Sequence, residues 1–196
     1  DFVRKAASGK PASINTCIGC NQACLDNAFT GRLTSCMVNP AACRETEFRV
    51  TRARIAKRIA IVGGGPAGLA SAAISAERGH TVTLFEAEAT LGGQFNLARR
   101  IPGKEDYAET VRYYTARLKE LSVTVRCGRT VSAADLSAGT FDEIVVATGV
   151  RPRALEIPGS DHPSVLTYVQ AIMDPSRVGA EVAIIGAGGI GFDVAA

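Results

Sequence analysis

The stretch that most limits what this chain can fold into is R-I-A-I-V-G-G-G-P-A-G-L-A (residues 58–70), followed at 80–86 by H-T-V-T-L-F-E. Ile59, Ile61 and Val62 make a short apolar run of the kind that becomes a buried parallel strand. It enters directly the G-x-G-x-x-G spacing of Gly63, Gly65 and Gly68. In such a pattern the first glycine permits a tight turn, the second admits a pyrophosphate to the backbone, and the third lets a helix pack close to the strand. Pro66 and Ala67 open that helix, expected over 66–78, whose free N–H groups and positive dipole end face the phosphates. Gly79 stops it. A second strand, Thr81 to Phe85, then delivers Glu86 eighteen residues after Gly68. That is where a βαβ dinucleotide fold needs a carboxylate for the ribose hydroxyls of an adenosine. The spacing therefore predicts an α/β, Rossmann-like fold with a parallel sheet.

The same pattern recurs near the end. Glu181 to Ile185 reads as a strand and runs into Gly186, Gly188 and Gly191, again G-x-G-x-x-G. Two fingerprints imply two dinucleotides, one per module. Between them, Gly92 and Gly93 allow the main chain to pass tightly against something, and Gln94 is placed to hydrogen-bond it. A helix is expected over 105–121, where Tyr107, Val111, Tyr114, Leu118 and Leu121 repeat as one apolar stripe. Short strands are expected at Val123 to Arg126 and around Thr130–Val131, and a buried strand at Ile144 to Ala147. A proline-rich connector follows, and His80 and His162 read as surface or packing residues.

Upstream, T-C-I-G-C-N-Q-A-C-L-D-N-A-F-T-G-R-L-T-S-C places Cys17, Cys20, Cys24 and Cys36 in a C-x2-C-x3-C-x11-C pattern. Three thiolates within eight residues can wrap one cofactor from a single loop, with a fourth closing the site. That suits a cubane iron–sulfur cluster, which takes four thiolates. Zinc accepts four cysteines too, although its structural sites pair two short knuckles across a longer gap. Disulfides are the third option, and the absence of a secretory signal in Asp1 to Lys10 argues against them. Cys43 and Cys127 fall outside the pattern and read as buried, inert thiols.

This organisation divides the chain into 1–16, the tail of a preceding domain; 17–57, the cysteine module and a basic linker; 58–150, the first nucleotide-binding domain; and 151–196, a connector and the start of a second. With 46% hydrophobic and 21% charged residues, a core can be filled. A net charge of +3 is too small to point to nucleic acid or a membrane surface, and no apolar run reaches spanning length. The expected location is cytoplasmic. A start without Met and a stop just inside a new helix are those of a piece cut at both ends.

The motifs C-I-G-C-N-Q-A-C-L-D, T-S-C-M-V-N-P, V-G-G-G-P-A-G-L-A, G-G-Q-F-N, R-I-P-G-K-E, V-A-T-G and A-I-I-G-A-G-G-I-G-F-D together resemble the NADPH-dependent 2,4-dienoyl-CoA reductases. These sit in the flavoprotein family that also holds the enoate reductases and trimethylamine dehydrogenase. The three residues between Cys20 and Cys24 are similar to the dienoyl-CoA and enoate reductases, the amine dehydrogenase branch having two. The resemblance implies a parent enzyme of fatty-acid β-oxidation type, an oxidoreductase on carbon–carbon double bonds. An N-terminal barrel, absent here, would bind FMN and an enoyl- or dienoyl-CoA. A [4Fe-4S] cluster would lie on Cys17, Cys20, Cys24 and Cys36. FAD would lie on Gly63, Gly65, Ala67 and Gly68, with Glu86 on its ribose, Gln94 and Lys104 as further contacts and the Val131 backbone at adenine. NADPH would begin at Gly186, Gly188 and Gly191. No catalytic side chain of the barrel is present, so this piece alone is expected to be inactive. An amine dehydrogenase segment and a zinc-stabilised nucleotide-binding module without redox chemistry are the alternatives.

Overall fold

The computed structural model describes residues 2–153 and 155–196. Asp1 of the expected tail and Ala154 of the connector lie outside them. Helices α1 (Phe2–Ala7) and α2 (Leu25–Phe29) precede strand β1 (Arg58–Val62), helix α3 (Pro66–Glu77) and strand β2 (Thr81–Phe85). Helices α4 (Phe95–Ala98) and α5 (Tyr107–Glu120) lead to β3 (Thr124–Arg126), α6 (Ala133–Ser137) and β4 (Glu143–Val146). Helices α7 (Tyr168–Met173) and α8 (Gly189–Ala195) complete the order. The sheet runs β3-β2-β1-β4 with parallel pairings, Ile61 facing Leu84 on one side and Val145 on the other. It is an α/β, Rossmann-like FAD/NAD(P)-binding fold with a parallel sheet, as the fingerprint predicts.

One face of the sheet carries the core. Ile59 and Ile61 of β1 meet Val82 and Leu84 of β2 beneath Leu69, Ala72 and Ala73 of α3 and Leu118 of α5. Ile61, Leu69, Leu84 and Leu118 are fully buried, each contributing about 1.5–3 kcal/mol by leaving water. The expected helix over 105–121 is realised as Tyr107–Glu120, with Tyr114 and Leu121 of its stripe packed on the core. Arg117 of α5 donates through Nε and Nη2 to the Glu77 carboxylate at the end of α3 (3.0 and 2.6 Å), pinning the two helices side by side.

The other face is thinner. Phe85 meets Phe141 edge-on at 5.9 Å, and a cleft of about 370 Å³ runs between Thr83, Phe85, Arg126, Val131 and Phe141. Thr130–Val131, expected as a strand, is irregular, because the chain there turns off the sheet to reach α6, whose Ser132–Asp135 capping box starts the helix. The buried strand expected at 144–147 forms as β4 but is an edge, with Ile144 and Val146 exposed. The strand expected at Glu181 to Ile185 does not form: no described strand lies beside it to take its backbone hydrogen bonds, and Val182, Ile184 and Ile185 are exposed. Cys43 and Cys127, expected to be buried, are both exposed.

The cysteine segment is fastened to α5 by one guanidinium. Arg112 donates through Nη1 to the Ala12 carbonyl (3.0 Å) and through Nη2 to the Ile14 carbonyl (3.0 Å), while its Nε binds Glu109 (2.8 Å). Thr16, next to Cys17, donates its hydroxyl to the same Glu109 carboxylate at 3.2 Å. Asn15 donates through Nδ2 to the Val38 carbonyl (2.6 Å), joining the Cys17 arm to the Cys36 arm. Residues 12–16 are therefore held on α5 of the nucleotide-binding unit. Charged donors on backbone carbonyls are among the stronger protein hydrogen bonds. Arg112→Gln should release them, and amide exchange across residues 12–16 should speed up at least tenfold while that of β1 and β2 stays constant.

At the foot of the sheet, Arg58 of β1 donates through Nη2 to Asp142 (2.9 Å) just ahead of β4, and its backbone N–H donates to the same carboxylate (2.8 Å). These bonds hold the Asp142 carboxyl down at about 2, from an ordinary 3.8. Stability from this group is fully present above pH 3.8 and is lost as pH falls through about 2. Acid titrations of the wild type and Asp142→Asn should thus differ by a constant amount above pH 4 and converge towards pH 2.

Candidate functional site: two glycine turns and a cysteine loop

The first fingerprint builds a turn over the C-terminal end of β1. Gly63 takes φ +110°, and Gly65 is the extended N-cap of α3, with Pro66 in the first turn. A Cβ at Gly68 would overlap the Gly63 carbonyl oxygen, so only glycine lets α3 start this close to the strand. The helix thereby presents unpaired N–H groups and its positive end at the mouth of the turn.

Glu86 ends β2 directly beneath. Its carboxylate is buried, with Oε2 accepting from Gly64 N–H at 2.6 Å and Oε1 from Glu88 N–H at 2.8 Å. Each carboxylate oxygen has a second lone pair free for a donor such as a ribose hydroxyl. The Gly92–Gly93 turn passes tightly against this same loop. Gly92 N–H donates to the Gly64 carbonyl at 2.9 Å, and a Cβ at Gly93 would lie 3.0 Å from the Gly65 Cα. Glycine turn, buried carboxylate and second glycine pair form one cradle, and its donor and acceptor set fits the phosphates and ribose of a dinucleotide.

The remaining candidates spread around the cradle. Gln94 donates through Nε2 to the Val150 carbonyl at 3.0 Å. Lys104 pairs with Asp193 of α8 at 2.5 Å, linking the first module to the second fingerprint. Val131 lies across the sheet, on the cleft beside Phe85. Cys127 is also on the Glu86 side, and desolvation followed by the Glu86 charge pushes its thiol up from its ordinary value.

The second fingerprint repeats the first turn with no sheet beneath it among the described residues. Gly186 has φ +116°, Gly188 is an extended N-cap, and a Cβ at Gly191 would overlap the Gly186 carbonyl oxygen. The local geometry is thus complete before any strand pairing.

Cys17, Cys20, Cys24 and Cys36 are free thiols, the last three half-buried. Among the described residues no three His, Cys, Asp or Glu side chains come together as a metal-holding group. The four fit an iron–sulfur cluster in number and kind. Cys20 opens on a cavity of about 490 Å³ that Met37, Pro66, Ala67, Phe95 and Thr110 also line. The cysteine loop therefore abuts the first turn of α3. Thr110 is 3% exposed, and its hydroxyl has no hydrogen-bond partner among the described residues, a condition that costs about 1–3 kcal/mol in a buried site. Burial also pushes the Tyr114 phenol, on the same wall, up from its ordinary value.

Several of these features lie outside local sequence patterns. Arg112 and its acceptors are about a hundred residues apart, as are Lys104 and Asp193. The signal for Thr110 is its place beside the apolar stripe of α5, which marks burial and leaves the state of its hydroxyl open.

Residues 57–196 match the model of the pyridine nucleotide-disulphide oxidoreductase family. The whole chain aligns at 36% identity over 199 residues with a metal reductase of Desulforamulus reducens, covering 30% of that protein. It aligns at 35% identity over 200 residues with a cinnamate reductase of Clostridium sporogenes, covering 100% of this chain and 29% of that one. Among solved structures, a 2-naphthoyl-CoA reductase in complex with 2-naphthoyl-CoA superposes with a TM-score of 0.88 and 32% identity, over 98% of this chain and 29% of the other. The chain spans about 30% of the length of the curated relatives it matches. Among the described residues, no helix is long and apolar enough to cross a membrane. With its paired glycine turns, buried Glu86 and parallel sheet, the chain belongs to the pyridine nucleotide-disulphide oxidoreductase family.

Proposed function

We propose that this chain is the electron-transfer segment of an NADPH-dependent 2,4-dienoyl-CoA or enoate reductase. In this proposal Cys17, Cys20, Cys24 and Cys36 hold a [4Fe-4S] cluster, and Gly63, Gly65, Ala67, Gly68 and Glu86 hold FAD, with Gln94, Lys104 and Val131 as further contacts. Gly186, Gly188 and Gly191 begin the NADPH site. An FMN barrel of the same polypeptide, cytoplasmic like the rest, carries the substrate pocket.

The observation that carries the proposal is the shared cavity. Cys20 and the first turn of α3, at Pro66 and Ala67, line one space, so carriers held by the cysteines and by the glycine turn would be neighbours. Bound flavin accepts a hydride as an electron pair, and a cluster passes electrons singly. The protein's part is placement. Glu86 accepts from the ribose, the α3 N-terminus faces the phosphates, and the Arg112–Glu109 pair holds the Cys17 arm against α5. Cluster binding and folding of the cysteine loop would be coupled, since the four thiolates must converge on one group. The relatives named for cinnamate and 2-naphthoyl-CoA support an unsaturated acid or acyl-CoA as the substrate.

The test uses full-length protein purified anaerobically. It should contain roughly four iron atoms per chain together with flavin, and should oxidise NADPH when given a dienoyl-CoA or cinnamate. Zinc without iron would overturn the cluster. Cys24→Ser should lose the iron while NADPH still bleaches the flavin. Glu86→Ala should weaken FAD binding about tenfold or more, from the loss of charge-assisted bonds of about 1.5–3 kcal/mol. Unchanged affinity would remove Glu86 from the ribose.

A further inference from the structure

Two dinucleotide sites can exchange a hydride only when something fixes the distance between them. The first turn rests on its sheet, through Gly68 against the Gly63 carbonyl. The second, Gly186 to Gly191, has no described strand beneath it, so its place depends on contacts of α8 and its neighbours with the first unit. Packing supplies one route. Tyr107 of α5 meets Phe95 of α4 edge-on at 4.8 Å, α4 packs on α7, and α7 packs on α8. The other route is direct. Lys104 Nζ donates to Asp193 Oδ1 at 2.5 Å, and among the described residues this is the one ion pair between 58–150 and 151–196.

Both partners are anchored locally. Lys104 N–H donates to the carbonyl of buried Ile101 at 3.0 Å, and the Lys104 carbonyl accepts from Tyr107 N–H at the start of α5 at 3.1 Å. Asp193 lies in α8, two residues past Gly191, where the second turn closes. Both side chains are half-buried, which reduces the solvent screening that makes exposed pairs weak. The pair thus closes a ring of contacts through α5, α4, α7 and α8. We propose that Asp193 is a positioning residue: by docking on Lys104 it sets the second dinucleotide turn at a working distance from the first. The proposal rests on the assignment of FAD to the first turn and NADPH to the second. Hydride transfer carries a hydrogen with its electron pair directly from nicotinamide to flavin, leaving NADP+ and reduced flavin. A misplacement of about 1 Å can cost such a step about 100-fold in rate. An ammonium has three donors, so Lys104 keeps two for the dinucleotide at the first turn while Asp193 takes the third. Asp193 acts through Lys104 and the turn it carries, and not on the reacting atoms.

The experiment uses anaerobic full-length protein and compares wild type with Asp193→Asn, Lys104→Met and the double variant. Flavin content, NADP+ affinity, amide exchange across residues 189–195 and single-turnover bleaching of the flavin at saturating NADPH are measured for each. Asp193→Asn should keep its flavin and its NADP+ affinity. Its amides at 189–195 should exchange faster, and bleaching should slow about tenfold or more. The double variant should lose no more than the worse single one, as expected of two residues that act as one contact. If Asp193→Asn does not fold, Asp193→Ser carries the same expectation. Unchanged bleaching in the charge-free variant overturns the proposal. Losses that add in the double variant overturn it too, by making the two residues independent. Weakened NADP+ binding with unslowed bleaching at saturation overturns it by making Asp193 a binding residue. A wild type without flavin, or whose flavin NADPH leaves oxidised, is a different failure, since it removes the nucleotide assignments themselves.

Discussion

The approach of α3 to β1 is the constraint on which the rest depends. It is set by one contact, Gly68 against the Gly63 carbonyl, where a side chain of any size would push the helix away. With the helix at that distance, Leu69, Ala72 and Ala73 reach Ile59, Ile61 and Leu84, and the core closes. The same distance brings the positive end of α3 over the ends of the strands and Gly64 within 2.6 Å of the Glu86 carboxylate. Fold and nucleotide cradle are consequences of one close packing. This is why the carboxylate can be buried, since the turn that needs it for the ligand also satisfies part of its hydrogen-bonding capacity.

The cysteine loop is attached by different physics. Its large apolar side chains Leu25, Phe29, Leu33 and Met37 stay exposed, and Ile18 is its one core-grade residue in the described chain. Polar bonds do the holding: Arg112 gathers the carbonyls of residues 12 and 14, and Glu109 gathers Arg112 and Thr16. Directional bonds fix position more sharply than hydrophobic contact does, which suits a loop whose purpose under the proposed function is to hold one carrier at a set place beside another. What that loop leaves open is the cavity by Cys20.

The two glycine fingerprints separate local from long-range structure. Both form the same turn, with matching φ at Gly63 and Gly186 and the same crowding at Gly68 and Gly191. Only the first has a sheet under it. A strand has no internal backbone hydrogen bonds, so Glu181–Ile185 remains irregular without neighbours, whereas a turn and a helix start satisfy their own. The Lys104–Asp193 pair and the packing of α4 against α7 join this second unit to the first.

The sequence by itself determined the features whose causes are local. The G-x-G-x-x-G spacing, the alternation in β1 and β2, the arrival of Glu86 at the end of β2 and the stripe of α5 all follow from steric and periodic rules acting over a few residues. The same is true of the cysteine spacing as a set of donors. Tertiary structure decided what requires partners distant in the chain. It made β4 an edge and left residues 130–131 and 181–185 out of the sheet, because pairing depends on which strands are adjacent. It exposed Cys43 and Cys127, whose surroundings come from segments that spacing does not specify. It placed Arg112 on a backbone a hundred residues away and shut Thr110 in without an acceptor. Hydrogen bonds of that kind depend on how the elements are packed in space, and no periodicity in the chain encodes them.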